Sequence, residues 1–272
     1  MSLEDKMQDW VAYKDAAQYS KLNPTLNVID YSDDNKKTIV LMGDEHMGSK
    51  FYDEKLHTKN LQWCLDNEIP IILMGDEIDA GTRDSVGASV YEQNEIIDNQ
   101  IQKLLKKYEP LIKKGLILGK HDGNHEQRVY KKTGLDLNRL ICKEMGVKNF
   151  EWGKFHYIRV GDQNYSLYTT HGASGARMPH TKIKAAIKLA DMADAEIYAM
   201  GHVHQLSHHV RNFYSINKRN RTVEESQKHF IITGSYLTYW GSYGNIKNYE
   251  PMRKGSPKLK LHGEEHMIRV SL

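Results

Sequence analysis

Eight side chains share one chemistry and one kind of placement: Asp44, His46, Asp76, Asn124, His125, His171, His202 and His204. All offer oxygen or imidazole donors, and none is a thiolate. They follow short apolar runs. Thr38-Ile39-Val40-Leu41-Met42 leads into Gly43-Asp44-Glu45-His46-Met47-Gly48, and Ile71-Ile72-Leu73-Met74 into Gly75-Asp76-Glu77-Ile78-Asp79. Leu116-Ile117-Leu118 leads towards Gly123-Asn124-His125-Glu126, residues 165–170 into His171-Gly172, and residues 195–200 into Gly201-His202-Val203-His204. Such a donor mixture suits divalent Mn²⁺, Fe²⁺ or Zn²⁺ better than a structural cysteine-zinc site. One octahedral ion cannot use so many groups; two ions sharing a carboxylate would use most of them.

The elements that must position these groups read as strands and helices in alternation. β-branched runs bounded by turn signals are buried strands, and their carboxyl ends are where open α/β sheets place ligand sites. Apolar spacing predicts helices over residues 53–68, 91–108, 135–145 and 180–193, and strands over 155–160 and 165–170. Residues 1–22 read as a helical leader that Asn23-Pro24 ends, and 205–272 as strands and loops with a polar hairpin near 217–225. The expected organisation is a leader, residues 1–37, packed on one domain, residues 38–272.

With 272 residues the chain can bury a full α/β core. Its 38 Lys and Arg exceed its 35 Asp and Glu by three, so charge neither demands nor forbids a nucleic-acid partner. Two cysteines, Cys64 and Cys142, make no disulfide or zinc framework. Without a membrane span or a hydrophobic signal core, the expectation is a cytoplasmic protein with no membrane partner. Oligomeric state is open.

The ordered set Asp44-Glu45-His46, Gly75-Asp76-Glu77-Ile78-Asp79, Gly123-Asn124-His125-Glu126, His171-Gly172 and Gly201-His202-Val203-His204 resembles the calcineurin-like metallophosphoesterases over residues 38 to about 240. That resemblance implies an α/β fold of two mixed β-sheets sandwiched between helical layers. It implies two divalent ions, Mn²⁺ first, with Fe²⁺ or Zn²⁺ as alternatives. One would take Asp44, His46, Asp76 and His204; the other Asp76, Asn124, His171 and His202, with Asp76 as the bridge. His125 would stay off the metals and protonate the leaving oxygen, and Asp79 would orient it. A bridging hydroxide would be the nucleophile. In size and in its Tyr-rich tail the chain also resembles small phage-type and exonuclease-like members.

The chain departs from the serine/threonine phosphatases of that superfamily. Where they carry Asp-Arg-Gly it has Asp79-Ala80-Gly81, with Arg83 displaced along the loop. Basic groups (Arg211, Lys218, Arg219, Arg221) and aromatics (Tyr236, Tyr239, Trp240, Tyr243) follow the last motif and could hold DNA or RNA by phosphate contact and stacking. Arg83, Arg128, Arg211 and Tyr236 are the candidates for holding substrate. The expected function is phosphodiester hydrolysis in nucleic acid or a nucleotide. The alternatives are a phosphomonoesterase on a protein or small molecule, and a metal-binding scaffold without catalysis.

Overall fold

The structure, a computed structural model, describes residues 26–82, 85 and 92–272. The expected leader helix over 1–22, Arg83 and the expected helix start at Tyr91 lie outside the described residues.

The strands are β1 (Leu26–Tyr31), β2 (Lys36–Met42), β3 (Ile71–Leu73), β4 (Ile117–His121), β5 (Asn149–Glu151), β6 (Gly153–Val160), β7 (Gln163–Thr170), β8 (Ile197–Met200), β9 (Ser207–Asn217), β10 (Thr222–Ile232), β11 (Lys258–His262) and β12 (Ile268–Ser271). The helices are α1 (Glu54–Asp66), α2 (Ile97–Lys113), α3 (Asn124–Thr133), α4 (Leu137–Met145), α5 (Pro179–Ile187) and the short α6 (Tyr243–Ile246). The strands form two six-stranded mixed sheets, ordered β12-β11-β2-β3-β4-β5 and β1-β6-β7-β8-β10-β9. β2, β3, β4 and β5 run parallel, as do β7, β8 and β10, so the motif-bearing ends share a direction within each sheet.

Strand alternation builds four layers. In β2, Val40 and Met42 face α1, α2 and α4 in one core, while Ile39 and Leu41 enter a second core between the sheets. In β8, Ile197 and Ala199 face that inter-sheet core, and Tyr198 and Met200 pack under α5. Burial on both faces is why these strands read as unbroken apolar runs.

Three expectations change. The leader boundary at residue 37 falls inside the fold, because β1 pairs in parallel with β6 at the edge of the second sheet. Its buried positions are Asn27 and Ile29 while Leu26 and Val28 are exposed, so apolar alternation does not mark it. The helix expected over 91–108 runs from Ile97 to Lys113 and contains Pro110. Tyr108 and Leu111 are buried in the core, and this packing carries the helix past the proline. α3 was not foreseen, because its inward face is His125, Glu126 and Val129, two polar residues of three.

Candidate metal centre

The seven expected ligands meet where the strand ends of the two sheets converge. The loop after β2 supplies Asp44 and His46, the loop after β3 Asp76, and the start of α3 Asn124. The second sheet supplies His171 after β7 and His202 and His204 after β8. Adjacent loops are laced by backbone hydrogen bonds: the Asp44 N–H donates to Gly75 O at 2.9 Å and the His46 N–H to Asp76 O at 3.0 Å.

Turning these ends inward strains the backbone. Asp44, His46, Asp76, His202 and His204 all have left-handed φ, between 51° and 69°. Non-glycine residues rarely adopt this region, at a cost of order 1–3 kcal/mol each. The motif glycines have a steric role. A Cβ on Gly123 would lie 2.2 Å from Asp76 Oδ1, and one on Gly201 2.8 Å from Asp44 Oδ2. Their absence lets nearby backbone N–H groups approach: that of His125, two residues after Gly123, donates to Asp76 Oδ1 at 2.9 Å, and that of His202, directly after Gly201, to Asp44 Oδ2 at 3.0 Å.

Two clusters result. Asp44, His46 and His204 form one, and Asp76, His171 and His202 the other. In the first, the Nε2 atoms of His46 and His204 are 3.0 Å apart, and His204 Nε2 is 3.2 Å from Asp44 Oδ1. In the second, Asn124 Oδ1 lies 3.0 Å from His171 Nε2 and 2.6 Å from His202 Nδ1. The His171 tautomer follows from its surroundings: Nδ1 donates to Met74 O at 2.8 Å. In the neutral ring Nε2 is then a lone pair, aimed at two oxygens, Asn124 Oδ1 and Asp76 Oδ2 at 3.3 Å. Acceptors facing acceptors at this depth need a cation between them, either a proton or a metal. With protons alone, burial pushes the His171 imidazolium down but Asp76 and Asp44 lift it to about 10. Burial likewise pushes the Asp76 carboxyl up, and His171 and His125 more than reverse this, holding it well below the carboxylate range. The donor set fits a pair of borderline divalent ions.

His46, Asp79 and His125 also lie within reach of one another. Here a proton-based account suffices. Asp79 Oδ1 is 3.4 Å from Nδ1 of both rings, within ion-pair range of each. Gln93 Nε2 donates to its other oxygen at 2.9 Å, and His125 Nδ1 is 2.6 Å from the Asp79 carbonyl. Asp79 thus sits where it can orient both imidazoles. His125 is mostly buried and lines the cavity over the clusters; burial depresses its imidazolium, but Asp76 and Asp79 raise it above the ordinary value.

The residues expected to hold substrate separate. Arg128 lines that cavity, its Nη2 3.0 Å from His125 Nε2. Tyr236 is fully buried, its hydroxyl bonded to Asn60 and Ser256, so it packs the core and presents no face to a ligand. Arg211 lies on β9 away from the cavity lining, over the Phe213 ring at 5.4 Å. Arg83 is outside the described residues. Three residues went unforeseen. Lys182 and Arg177 line the cavity; the basic character of the 180–193 segment hinted at Lys182, and nothing hinted at Arg177. Lys120, fully buried, binds Glu77 and Glu126, the residues that follow Asp76 and His125.

No family model matches the chain, and no curated protein matches it either. Among solved structures, a conserved uncharacterised protein from Streptococcus pneumoniae described as a predicted phosphoesterase aligns at 12% identity and TM-score 0.36, over 87% of this chain and 97% of that one. Vacuolar protein sorting 29 from Cryptosporidium parvum aligns at 13% and 0.41, over 88% and 98%. The same protein from Entamoeba histolytica, complexed with zinc, aligns at 12% and 0.35, over 86% and 97%. The functional reading rests on this chain's own residues. They combine two mixed sheets between helical layers with five ordered motifs at converging strand ends, the architecture and motif set that the resemblance to calcineurin-like metallophosphoesterases implies.

Proposed function

We propose that the chain is a binuclear metal-dependent phosphoesterase that hydrolyses a phosphodiester of a nucleic acid or nucleotide. Asp44, His46, Asp76 and His204 would hold one ion, and Asp76, Asn124, His171 and His202 the other, with Asp76 shared. Such ions, when bound, polarise the phosphoryl oxygens and lower the pKa of water to the neutral range. The protein's own part is positioning and proton transfer. His125, whose charged form Asp76 and Asp79 favour, would donate its proton to the leaving oxygen as the phosphorus–oxygen bond breaks. Arg128 stands beside it as a fixed cation for the charge that develops on the phosphoryl group. The observation carrying the reading is the convergence of His171 Nε2, Asn124 Oδ1 and Asp76 Oδ2, three atoms able to share one cation. Among divalent ions we favour Mn²⁺, then Fe²⁺ or Zn²⁺.

The test is Mn²⁺-dependent hydrolysis of bis-p-nitrophenyl phosphate, p-nitrophenyl phosphate and end-labelled DNA, with His125→Ala as control. Diester cleavage that falls by roughly 10²–10⁴-fold in the control, with metal still bound, is the expected outcome. Monoester cleavage alone would move the function to a phosphatase. Metal binding without hydrolysis of any substrate would favour a scaffold.

A further inference from the structure

The cavity over the clusters has a volume of about 350 Å³, and part of its wall belongs to residues 174–182 and 237–252. Nothing in the two-ion chemistry requires this part. It carries two cations, Arg177 before α5 and Lys182 within it. Lys182 is only 8% exposed, yet it lines the cavity and its ammonium makes no hydrogen bond or ion pair among the described residues. Burial lowers its pKa, with Glu250 acting in the other direction. An ammonium at the wall of a cavity without a hydrogen-bonded partner is unusual, because buried charges are ordinarily paired. Glu250 also borders the cavity but is exposed, where water screens it. Beside the cations stand aromatic rings, Phe51, Tyr239 and Tyr249. The Arg177 guanidinium lies 5.9 Å from the Tyr249 ring centre, and the Tyr239 hydroxyl donates to Tyr249 O at 2.7 Å.

We infer that Lys182 and Arg177 form an anion subsite for the phosphate next to the scissile one in a single-stranded oligonucleotide, with its base against Tyr249 or Tyr239. This rests on the phosphodiesterase reading and names its substrate. A monoester, or a diester with small substituents, needs only the metal clusters, His125 and Arg128. Repeating phosphates with aromatic faces between them are the pattern that pairs a basic wall with stacking rings. The volume matches a drug-sized ligand, hence about one nucleotide, so a base must leave its partner strand to enter.

The test has two parts on the full-length chain. In the first, a fluorescently labelled single-stranded hexanucleotide is titrated in EDTA across a salt series, so that no hydrolysis competes. Lys182→Met and Arg177→Met are expected to weaken binding about tenfold at low salt and to flatten the log–log salt slope by about 0.7 for each cation removed. Lys182→Arg should restore the slope, and circular dichroism shows whether each variant is folded. In the second, with Mn²⁺, Lys182→Met should lower kcat/KM on the oligonucleotide at least tenfold more than on bis-p-nitrophenyl phosphate, through KM. Equal binding by wild type and Lys182→Met would overturn the subsite. So would equal losses on the two substrates, or tighter binding of the hexanucleotide's duplex, titrated in the same way, than of the single strand. If the wild type binds no metal and hydrolyses neither substrate, the phosphoesterase reading fails instead, while the binding series still reports on Lys182.

Discussion

Asp76 and Glu77 are adjacent in sequence and both buried, yet they belong to clusters of opposite character. Around Glu77 the protein supplies its own cation. Lys120 Nζ lies 2.6 Å from Glu77 Oε2 and 3.1 Å from Glu126 Oε1, and donates to Asn138 Oδ1 at 2.6 Å. The Gly75 N–H donates to Glu77 Oε1 at 2.9 Å. Burial works against the ammonium, but Glu126 and Glu77 hold its pKa above the ordinary lysine value. Around Asp76 no lysine or arginine is built in; imidazole nitrogens, whose charge is an exchangeable proton, and an amide oxygen converge with the carboxylate. A buried acid cluster with a covalently attached cation is a fixture of the fold. One whose remaining neighbours are also acceptors is arranged for an exchangeable cation. The fixture grips the residues next to Asp76 and His125, so it also sets where those two stand.

Asp76→Ala breaks the comparison most severely. It removes the carboxylate shared by both proposed ion sites, so calorimetry and elemental analysis should show both ions lost and diester hydrolysis abolished. Two ions retained at normal stoichiometry would refute the bridge. Lys120→Met should instead act on stability, leaving two buried carboxylates without their cation. The expected loss is about 3–5 kcal/mol in urea unfolding. Adding Glu77→Gln and Glu126→Gln should recover much of it, because the uncompensated charge is gone; no recovery would mean that the ammonium acts through packing.

A third buried polar chain sharpens the contrast, because it is built to stay neutral. Asn27 Nδ2 donates to His156 Nδ1 at 3.1 Å. His156 Nε2 then donates to Thr169 Oγ1 at 2.7 Å, and the hydroxyl donates to His121 Nε2 at 2.6 Å. His121 Nδ1 completes the chain to Glu151 O at 3.1 Å. Neither ring has room for a second proton. Burial drives His121 from 6.5 to about 3, and it drives His156 well down too. A histidine depressed in the fold stabilises above its unfolded pKa, and that contribution is lost as pH falls from about 6.5 towards 3. The urea midpoint should therefore fall between pH 7 and 4.5, and His121→Gln should flatten that slope. An unchanged slope in the variant would remove His121 from the account. This is the smallest of the three effects.

The candidate ligand motifs were legible because each couples a local signal, an apolar strand, to a chemically distinctive ending. The basic and aromatic residues after the last motif were legible as types but not as places. Tyr236 joined the core, and Arg211 went to a ribbon away from the cavity. Strand β1 and helix α3 escaped notice because polar residues occupy their buried faces.

The sequence by itself determined the order of the motif-bearing strands and of the candidate ligands: apolar runs and glycine spacing are local properties, readable without knowing what packs where. Only the tertiary structure decided which buried charges find partners. Lys120 and Lys182 are the same residue type, each followed within the chain by ordinary neighbours. One is enclosed by two glutamates and an amide, the other faces a cavity with no ion pair. That difference depends on groups brought together from distant segments, and Coulomb energy at low dielectric depends on separation in space, not along the chain.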